Sequence, residues 1–330
     1  MSRRGFYRAT FFIALAALSG WALAQNPPKP HGPWPTKAVK LLVGFPGGSS
    51  PDLMARTLAD PLSKALGQPV IVENHPGASG NIAANLVAQS TDQHTLGIMI
   101  NGNLTIAKLL NPRTPYDPAK DLAPISLIGT APLVLAAPAS SNAADAQAFF
   151  AAARSGADRW NYGTPGNGTV AHVGMELLKS RTQITAVHVP YPGNPQVITA
   201  MIGGQIQMSL LPPGLAMPQV RAGKLKAIGV TSAGRSPLVP EVPSLSEGGV
   251  PGFQLEIWNA VAGPSTLPKP IVARLSILFS EIVRSPEIRQ KLFNQGWQVA
   301  GTSAEGLANR IKQDTELLGG VITARGIKTE

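Results

Sequence analysis

Three glycine-rich turns constrain this chain more than any other feature of its sequence. They span residues 46–52, 76–81 and 164–169. Each turn follows a short apolar run of β-strand character and precedes a segment with helical periodicity. A repeated order of strand, turn and helix predicts an α/β fold with parallel strands, in which helices cover both faces of the sheet.

The turns also indicate a binding chemistry. The first turn of a helix leaves backbone N–H groups unpaired at the positive end of the helix dipole, which attracts anions. Glycine lets a ligand approach the backbone, and Ser, Thr and Asn side chains add donors. None of the turns carries a nucleophile or a general base. The pattern therefore predicts a site that holds an anion without transforming it, at the carboxyl ends of the strands.

The sequence places candidate ligand-binding residues in these turns and just beyond them. They are Gly47, Gly48, Ser49, Ser50, Asp52, Gly77, Ala78, Ser79, Asn81, Asn101, Thr164, Gly166, Asn167, Gly168, Thr169, His172 and Tyr191.

Several of these residues have two interpretations. Asp52 could favour the helix dipole, or it could be a counter-charge for an amino group or water in the ligand. His172 could be a solvent-facing residue of its helix, or a donor to an anion. Tyr191 could be a core residue or a ligand contact, and so could Tyr162 and Trp258, which are not among the candidates. Ser50 is predicted to cap the first helix, with Pro51 at the first helical position.

The N-terminal residues 1–24 have the pattern of an export signal. Arg3, Arg4 and Arg8 precede an apolar stretch at 10–18, and a small-residue cleavage pattern ends at Ala24. The arginine pair fits either the Sec or the twin-arginine route. With no cysteine in the chain, lipid anchoring at cysteine and disulfides are ruled out. We therefore expect a soluble periplasmic protein.

Other functional classes lack support in the sequence. The net charge is +10, but the basic residues are scattered and not interleaved with aromatics, which argues against nucleic-acid binding. Residues 166–171 match a dinucleotide fingerprint, yet no acidic residue follows at the ribose-binding distance. The five histidines lack metal-ligand spacing. No cofactor or metal is expected.

The turns and their surroundings resemble the Bug family, the solute receptors of tripartite tricarboxylate transporters. The resemblance extends from Trp34 to the C-terminus. Its matching blocks are residues 45–52, 66–74, 76–82, 116–118, 120–124, 161–172, 188–191, 203–205 and 251–253.

The resemblance implies a type II periplasmic-binding-protein fold with two doubly wound lobes and a ligand in the cleft between them. We expect lobe I at residues 25–128 and 256–330, lobe II at 129–255, and hinge crossings near 129–133 and 256–260. The implied ligand is a small carboxylate: a dicarboxylate, a tricarboxylate, an acidic amino acid or an aromatic acid. The implied partners are a two-component membrane permease or a sensor kinase, and a monomer is expected.

Three sites, comprising four residues, depart from the pattern of that family. Pro51 stands where Thr is usual, Pro192 where Lys is frequent, and Leu211-Pro212 where polar residues are common. These departures favour a ligand with an apolar or aromatic body. The sequence thus predicts a non-enzymatic solute-binding protein for transport or sensing. An α/β enzyme acting on a small carboxylate is the alternative.

Overall fold

A six-stranded mixed sheet forms one half of the architecture. The computed structural model describes residues 34–156 and 159–326, apart from the side chain of Arg325, so the predicted export signal lies outside the described residues. The strand order is β11-β4-β10-β3-β1-β2. Its strands are β1 Val39–Val43, β2 Val70–Asn74, β3 Thr95–Ile100, β4 Leu122–Pro132, β10 Glu256–Pro264 and β11 Gln298–Val299.

The second half contains a three-stranded and a two-stranded sheet, joined by a bridge between Tyr162 and Met208. In the three-stranded sheet β5 lies between β8 and β9, antiparallel to both. In the other, β6 and β7 are parallel. The strands are β5 Val134–Pro138, β6 Asn161–Thr164, β7 Val187–Pro190, β8 Ser209–Leu211 and β9 Leu225–Val230.

The prediction of an α/β fold is confirmed, but the prediction of purely parallel sheets is wrong. In the large sheet β1, β2, β3 and β4 run in one direction, while β10, between β3 and β4, and the edge strand β11 run antiparallel to their neighbours. An apolar run reads alike for either direction of a buried strand, so the sequence did not reveal the reversal.

The helices pack on the faces of these sheets. Among the described residues, no helix combines the length and apolar character of a membrane span. The helices are α1 Ser50–Leu66, α2 Asn81–Ala88, α3 Asn101–Thr105, α4 Ala107–Leu110, α5 Pro118–Asp121, α6 Ala146–Gly156, α7 Val170–Thr182, α8 Asn194–Ile202, α9 Pro213–Arg221, α10 Lys269–Arg284, α11 Pro286–Asn294 and α12 Ala304–Arg325.

Helix α1 shows how the sequence specifies these elements. Met54, Leu58 and Leu62 recur every four residues and are fully buried, so they form one apolar face. The helix ends where Gly67 adopts a left-handed conformation with φ +69° and donates its N–H to the Ser63 carbonyl. This packing fixes the N-terminus of α1 at the end of β1.

The apolar core continues between the two halves. One cluster combines Phe149 and Met175 of the second half with Ile106, which follows α3, and with Leu318 of α12. The described residues from Pro35 onward accordingly form one compact unit. The three glycine-rich turns lie within this unit, each after a strand and before a helix.

Candidate functional site

The first turn ends in a buried hydroxyl that has no partner within the protein. Ser49, not the predicted Ser50, is the N-cap of α1, and Pro51 lies one position beyond the expected one. Ser49 has extended backbone angles, follows Gly48 at φ +77°, and is 1% exposed. Among the described residues, its Oγ finds no hydrogen-bond partner. A buried unpaired hydroxyl is costly, which points to a ligand atom as its partner.

Asp52 organises this turn from within the protein. Its carboxylate accepts hydrogen bonds from the Gly48 N–H at 2.9 Å, Asn74 Nδ2 at 2.9 Å and Arg56 Nε at 3.0 Å. Burial raises the pKa of Asp52, but the hydrogen bonds from Arg56, Asn74 and Gly48 outweigh burial, so the pKa lies below its ordinary value. These contacts favour the role of Asp52 at the helix terminus over that of a counter-charge in the ligand.

The second turn is an unusual left-handed run. Gly77, Ala78, Ser79 and Gly80 all have positive φ, with values of +133°, +47°, +56° and +87°. For the two non-glycine residues this conformation costs roughly 1–2 kcal/mol each.

A hydrogen-bond network holds the second turn in place. Asn103 Nδ2 donates to the Ser79 carbonyl at 3.0 Å and to Asn81 Oδ1 at 2.8 Å. The Tyr116 hydroxyl donates to the same Asn81 oxygen. The predicted site residue Asn81 therefore supports the backbone of the turn through its side chain.

The third turn satisfies its own hydroxyls. Thr169 is the N-cap of α7, where its Oγ1 accepts from the His172 N–H and donates to the Gly166 carbonyl at 2.9 Å. Thr164 Oγ1 lies 2.6 Å from His188 Nε2 and 3.3 Å from the Gly166 N–H. Unlike Ser49, these two threonines are already committed within the protein.

His172 is buried, so the interpretation of a solvent-facing residue is wrong. Its Nδ1 accepts a hydrogen bond from the Gly168 N–H at 3.2 Å, and its ring stacks on His188 at 4.3 Å. His188 in turn stacks on Tyr162 at 4.8 Å. Burial lowers the pKa of His172, and burial together with the neighbouring His172 lowers the pKa of His188 to about 4. Both rings are neutral at pH 7 and support the third turn.

The third turn lies directly against the second turn and α3. A Cβ on Gly166 would overlap the side chain of Ser79, and a Cβ on Gly102 would lie 3.0 Å from the Gly168 carbonyl. Next to α8, a Cβ on Gly193 would lie 2.9 Å from Pro46. Glycine at these positions permits the close approach of backbones.

A small cavity of about 50 Å³ lies between the N-termini of α1, α7 and α8. Most of its walls are apolar, and none of the described residues that line it is charged. Its lining includes Ser49 and two further residues, Asn194 and Asn259, whose Oδ1 and Nδ2 atoms are likewise buried without partners in the described structure. The remaining lining residues are Phe45, Ser50, Pro51, Ile100, Asn101, Leu133, Pro165, Thr169, Val170, Ala171, Leu210, Pro212, Ile257, Trp258 and Trp297.

A second cavity of about 150 Å³ lies between the second and third turns. It is more polar, again without a charged residue among the described residues that line it. No group of three or more His, Asp or Glu residues in the described part of the chain could hold a metal ion. The lining residues are Ala78, Ser79, Asn81, Gly102, Asn103, Ala107, Leu110, Asn111, Asn167 and Gly168.

The predicted site residues divide between these cavities and their supports. Ser49, Ser50, Asn101 and Thr169 line the first cavity, whereas Ala78, Ser79, Asn81, Asn167 and Gly168 line the second. The lining of neither cavity includes Gly47, Gly48, Asp52, Gly77, Thr164, Gly166, His172 or Tyr191.

Sequence reasoning missed Asn194, Asn259 and Trp297. Asn194 follows a glycine at a helix start, which is the signal used for the other turns. Asn259 lies within the apolar strand β10, and its polarity in that run was the available signal. Trp258, fully buried, belongs to the core cluster around the large sheet and also borders the cavity.

Comparison with known proteins gives a consistent result. Residues 54–327 match the tripartite tricarboxylate transporter family receptor. A curated relative, the UPF0065 protein in the tcbD-tcbE intergenic region of Pseudomonas sp. (strain P51), is 32% identical and covers 92% of this chain and 90% of its own. The resemblance to the receptors of this family is thereby confirmed.

Three solved structures share the fold. MatC from Rhodopseudomonas palustris with bound malate has a TM-score of 0.83 and 31% identity, covering 87% of this chain and 99% of its own. R. palustris Rpa4515 with adipate has a TM-score of 0.87 and 29% identity, covering 89% of this chain and 99% of its own. The periplasmic binding protein BugD has a TM-score of 0.85 and 26% identity, over 90% and 100%. The prediction of a periplasmic-binding-protein fold is confirmed.

Proposed function

The chain belongs to the tripartite tricarboxylate transporter family of receptors, and on that basis we propose that it captures a small carboxylate between its glycine-rich turns. The observation that carries the proposal is Ser49, whose buried hydroxyl has no partner in the described structure and lies at the N-terminus of α1 beside the cavity. A carboxylate there would accept from this hydroxyl and from free backbone N–H groups. The malate and adipate in the related structures are carboxylates of this kind.

The chemistry of the cavity favours binding over catalysis. The described residues lining the first cavity include no His, Asp, Glu, Lys or Arg, so it offers neither a general base nor an activated nucleophile. Solute capture in the periplasm, for a two-component membrane permease or a sensor kinase, agrees with this inert lining and with the export signal predicted from the sequence.

Ligand capture would close a cleft between two lobes, at residues 25–128 with 256–330 and at residues 129–255. Only Leu133 separates β4 in the large sheet from β5 in the second half, which makes this crossing short. The other crossing begins at Glu256, whose carbonyl accepts from Asn101 Nδ2 at 3.2 Å. Asn101 also lines the cavity. A ligand touching Asn101 would therefore couple directly to one hinge.

The test is to identify the ligand retained by natively purified protein by mass spectrometry and to measure its affinity by calorimetry. A carboxylate whose affinity falls at least about tenfold in Ser49→Ala supports the proposal, since one charge-assisted hydrogen bond contributes roughly 1.5–3 kcal/mol. Turnover of the carboxylate, or an unchanged affinity in Ser49→Ala, would contradict it. Small-angle scattering with and without the ligand tests the hinge, for which we expect compaction on binding.

A further inference from the structure

The residues that line the cavities indicate the number of charged groups in the ligand as well as its carboxylate. Although the chain has a net charge of +10, neither cavity between the turns is lined by a charged side chain of the described structure. A receptor that buries two anionic groups needs a compensating cation or a dense set of donors for each of them. Neither described lining supplies such a cation.

The three unpartnered atoms differ in hydrogen-bonding character and in origin. Ser49 Oγ and Asn259 Nδ2 can donate, and both belong to elements of the large-sheet half. Asn194 Oδ1 can only accept, and it lies at the start of α8, in the other half of the structure. All three residues are more than nine-tenths buried, at 1%, 2% and 7% exposure, and all line the first cavity.

An acceptor oxygen beside a second carboxylate would repel it. By contrast, a ligand N–H or O–H group would satisfy Asn194 Oδ1 and remove the cost of leaving it buried and unpaired. Leu210, Pro212 and Ile257 contribute apolar wall to the same cavity. The complementary molecule has an anionic end, an apolar body and a neutral donor at its far end.

We propose that the cognate ligand is a monocarboxylate with an apolar body and a neutral hydrogen-bond donor, such as an amide or a hydroxyl, which donates to Asn194. This inference rests on the proposed function, because it assumes that the cavity holds one carboxylate. It excludes, as the cognate ligand, the dicarboxylates and tricarboxylates that the family resemblance allows.

The experiment compares matched ligands on purified, ligand-stripped full-length protein by calorimetry. Three diacids, succinate, adipate and terephthalate, provide three different carbon skeletons. Each diacid is compared with three derivatives of the same skeleton: the monoamide, the diamide and the monoacid in which a methyl group replaces the second carboxylate. For a skeleton that binds, we expect the monoamide to bind at least about tenfold more tightly than the diacid, which corresponds to one unfavourable buried charge contact.

The outcomes separate this inference from the proposed function. A diacid that binds as tightly as its monoamide would overturn the inference and leave carboxylate capture intact. A diamide that binds as tightly as the monoamide would overturn carboxylate capture itself. A panel in which no member binds would overturn both.

A variant pair assigns the donor contact to Asn194. Asn194→Leu removes the acceptor, so the monoamide should lose about tenfold in affinity while the methyl-terminated monoacid keeps its affinity. Asn85→Leu is the control, because Asn85 Oδ1 is also buried without a partner in the described structure but lines neither cavity. Equal losses for both ligands in Asn194→Leu would overturn the assignment, since a merely structural defect affects both.

Discussion

The N-termini of α1 and α7 share one backbone pattern and differ in the chemistry that stabilises it. In each turn a left-handed glycine, Gly48 at φ +77° or Gly168 at φ +76°, precedes the N-cap. The side chain four residues after that glycine accepts its N–H: Asp52 at 2.9 Å and His172 at 3.2 Å. The two halves of the molecule therefore solve the same problem of an unpaired turn N–H with an ionised acceptor in one case and a neutral acceptor in the other.

The N-cap hydroxyls differ as well. Thr169 Oγ1 is engaged by the His172 N–H and the Gly166 carbonyl, whereas Ser49 Oγ has no partner among the described residues. The N-cap hydroxyl of α1 is thus available to a ligand, and the N-cap hydroxyl of α7 is not. Two glycine-rich turns of similar backbone can therefore differ in role: the N-cap side chain is free for a ligand in one turn and stabilises the turn itself in the other.

The largest expected effect separates the two acceptors. Asp52→Asn and His172→Asn both keep an oxygen that can accept from the turn glycine. Asp52→Asn should lower the free energy of unfolding by about 2–3 kcal/mol, because Arg56 loses its ionised partner. In addition, the side-chain NH2 group that replaces one carboxylate oxygen would face the Nδ2 of Asn74, which is also a donor. His172→Asn should cost about 1 kcal/mol through lost ring stacking. Urea unfolding at pH 7.5 measures both, and equal losses would contradict the distinction.

The two turns should also respond to different ranges of pH. The folded-state pKa values of His172 and His188 lie below the ordinary value of 6.5, that of His188 at about 4. The unfolded chain therefore binds more protons between about pH 6.5 and pH 4, so stability falls as the pH falls through this window. The free energy of unfolding should change by at most about 1.4 kcal/mol per pH unit for each histidine. The change should be smaller for His188, which is half-buried and therefore partly screened by solvent.

Asp52 provides the contrast in the same titration. Its pKa is below 3.8 in the folded protein, so it stays ionised in this window, and its contribution is lost only in stronger acid. Charged groups facing the histidine rings are Glu176 and Lys179 of α7. Chemical denaturation at pH 7.5, 6, 5 and 4.5 should give a flatter profile for His188→Asn than for Asp52→Asn. An unchanged slope in His188→Asn would refute this origin.

The sequence predicted the parts of the site that depend on local chemistry. Glycines with hydroxyl residues at strand-to-helix transitions located all three turns, because positive φ and N-caps have strong residue preferences. It did not predict which side chains support the turns. The roles of Asp52 and His172 depend on partners such as Asn74 and His188, which are distant in sequence and are brought close only by the fold.

Tertiary placement also explains the missed residues. Asn259 lies within an apolar strand, and only the antiparallel position of β10 beside β3 brings it to the cavity. A Gly77→Val variant would likewise be unsuitable as a test of binding. A Cβ on Gly77 would lie 2.5 Å from Ile82 Cδ1, at φ +133°, so the substitution would strain the turn itself. Close packing of this kind cannot be read from a local pattern.

A smaller effect should distinguish the two N-cap hydroxyls. Thr169→Val keeps the shape of the side chain and removes an engaged hydroxyl, so it should lower the free energy of unfolding by about 1 kcal/mol. Ser49→Ala removes a buried hydroxyl that has no partner in the described structure, so it should not lower the free energy of unfolding of the ligand-free protein. Thermal unfolding without ligand measures both. A loss in Ser49→Ala as large as that in Thr169→Val would show that Ser49 is also a structural cap.

The smallest expected difference between the two turns concerns the backbone that they share. Gly48→Ala and Gly168→Ala each place a Cβ on a left-handed residue with nearly the same φ, so each should cost about 1–2 kcal/mol in unfolding free energy from conformation alone. Gly47→Ala is the control, because a Cβ there meets no atom within 4 Å and Gly47 does not have positive φ; its effect should stay within about 0.5 kcal/mol. Urea unfolding without ligand gives the three values. An ionised acceptor, Asp52, supports the α1 turn, and a neutral acceptor, His172, supports the α7 turn. Equal losses of unfolding free energy in Gly48→Ala and Gly168→Ala would therefore mean that the backbone strain does not depend on the charge of the acceptor. A clearly larger loss in Gly48→Ala would instead mean that the charged network around Asp52 resists displacement of its turn, so the two N-termini would differ in rigidity as well as in charge.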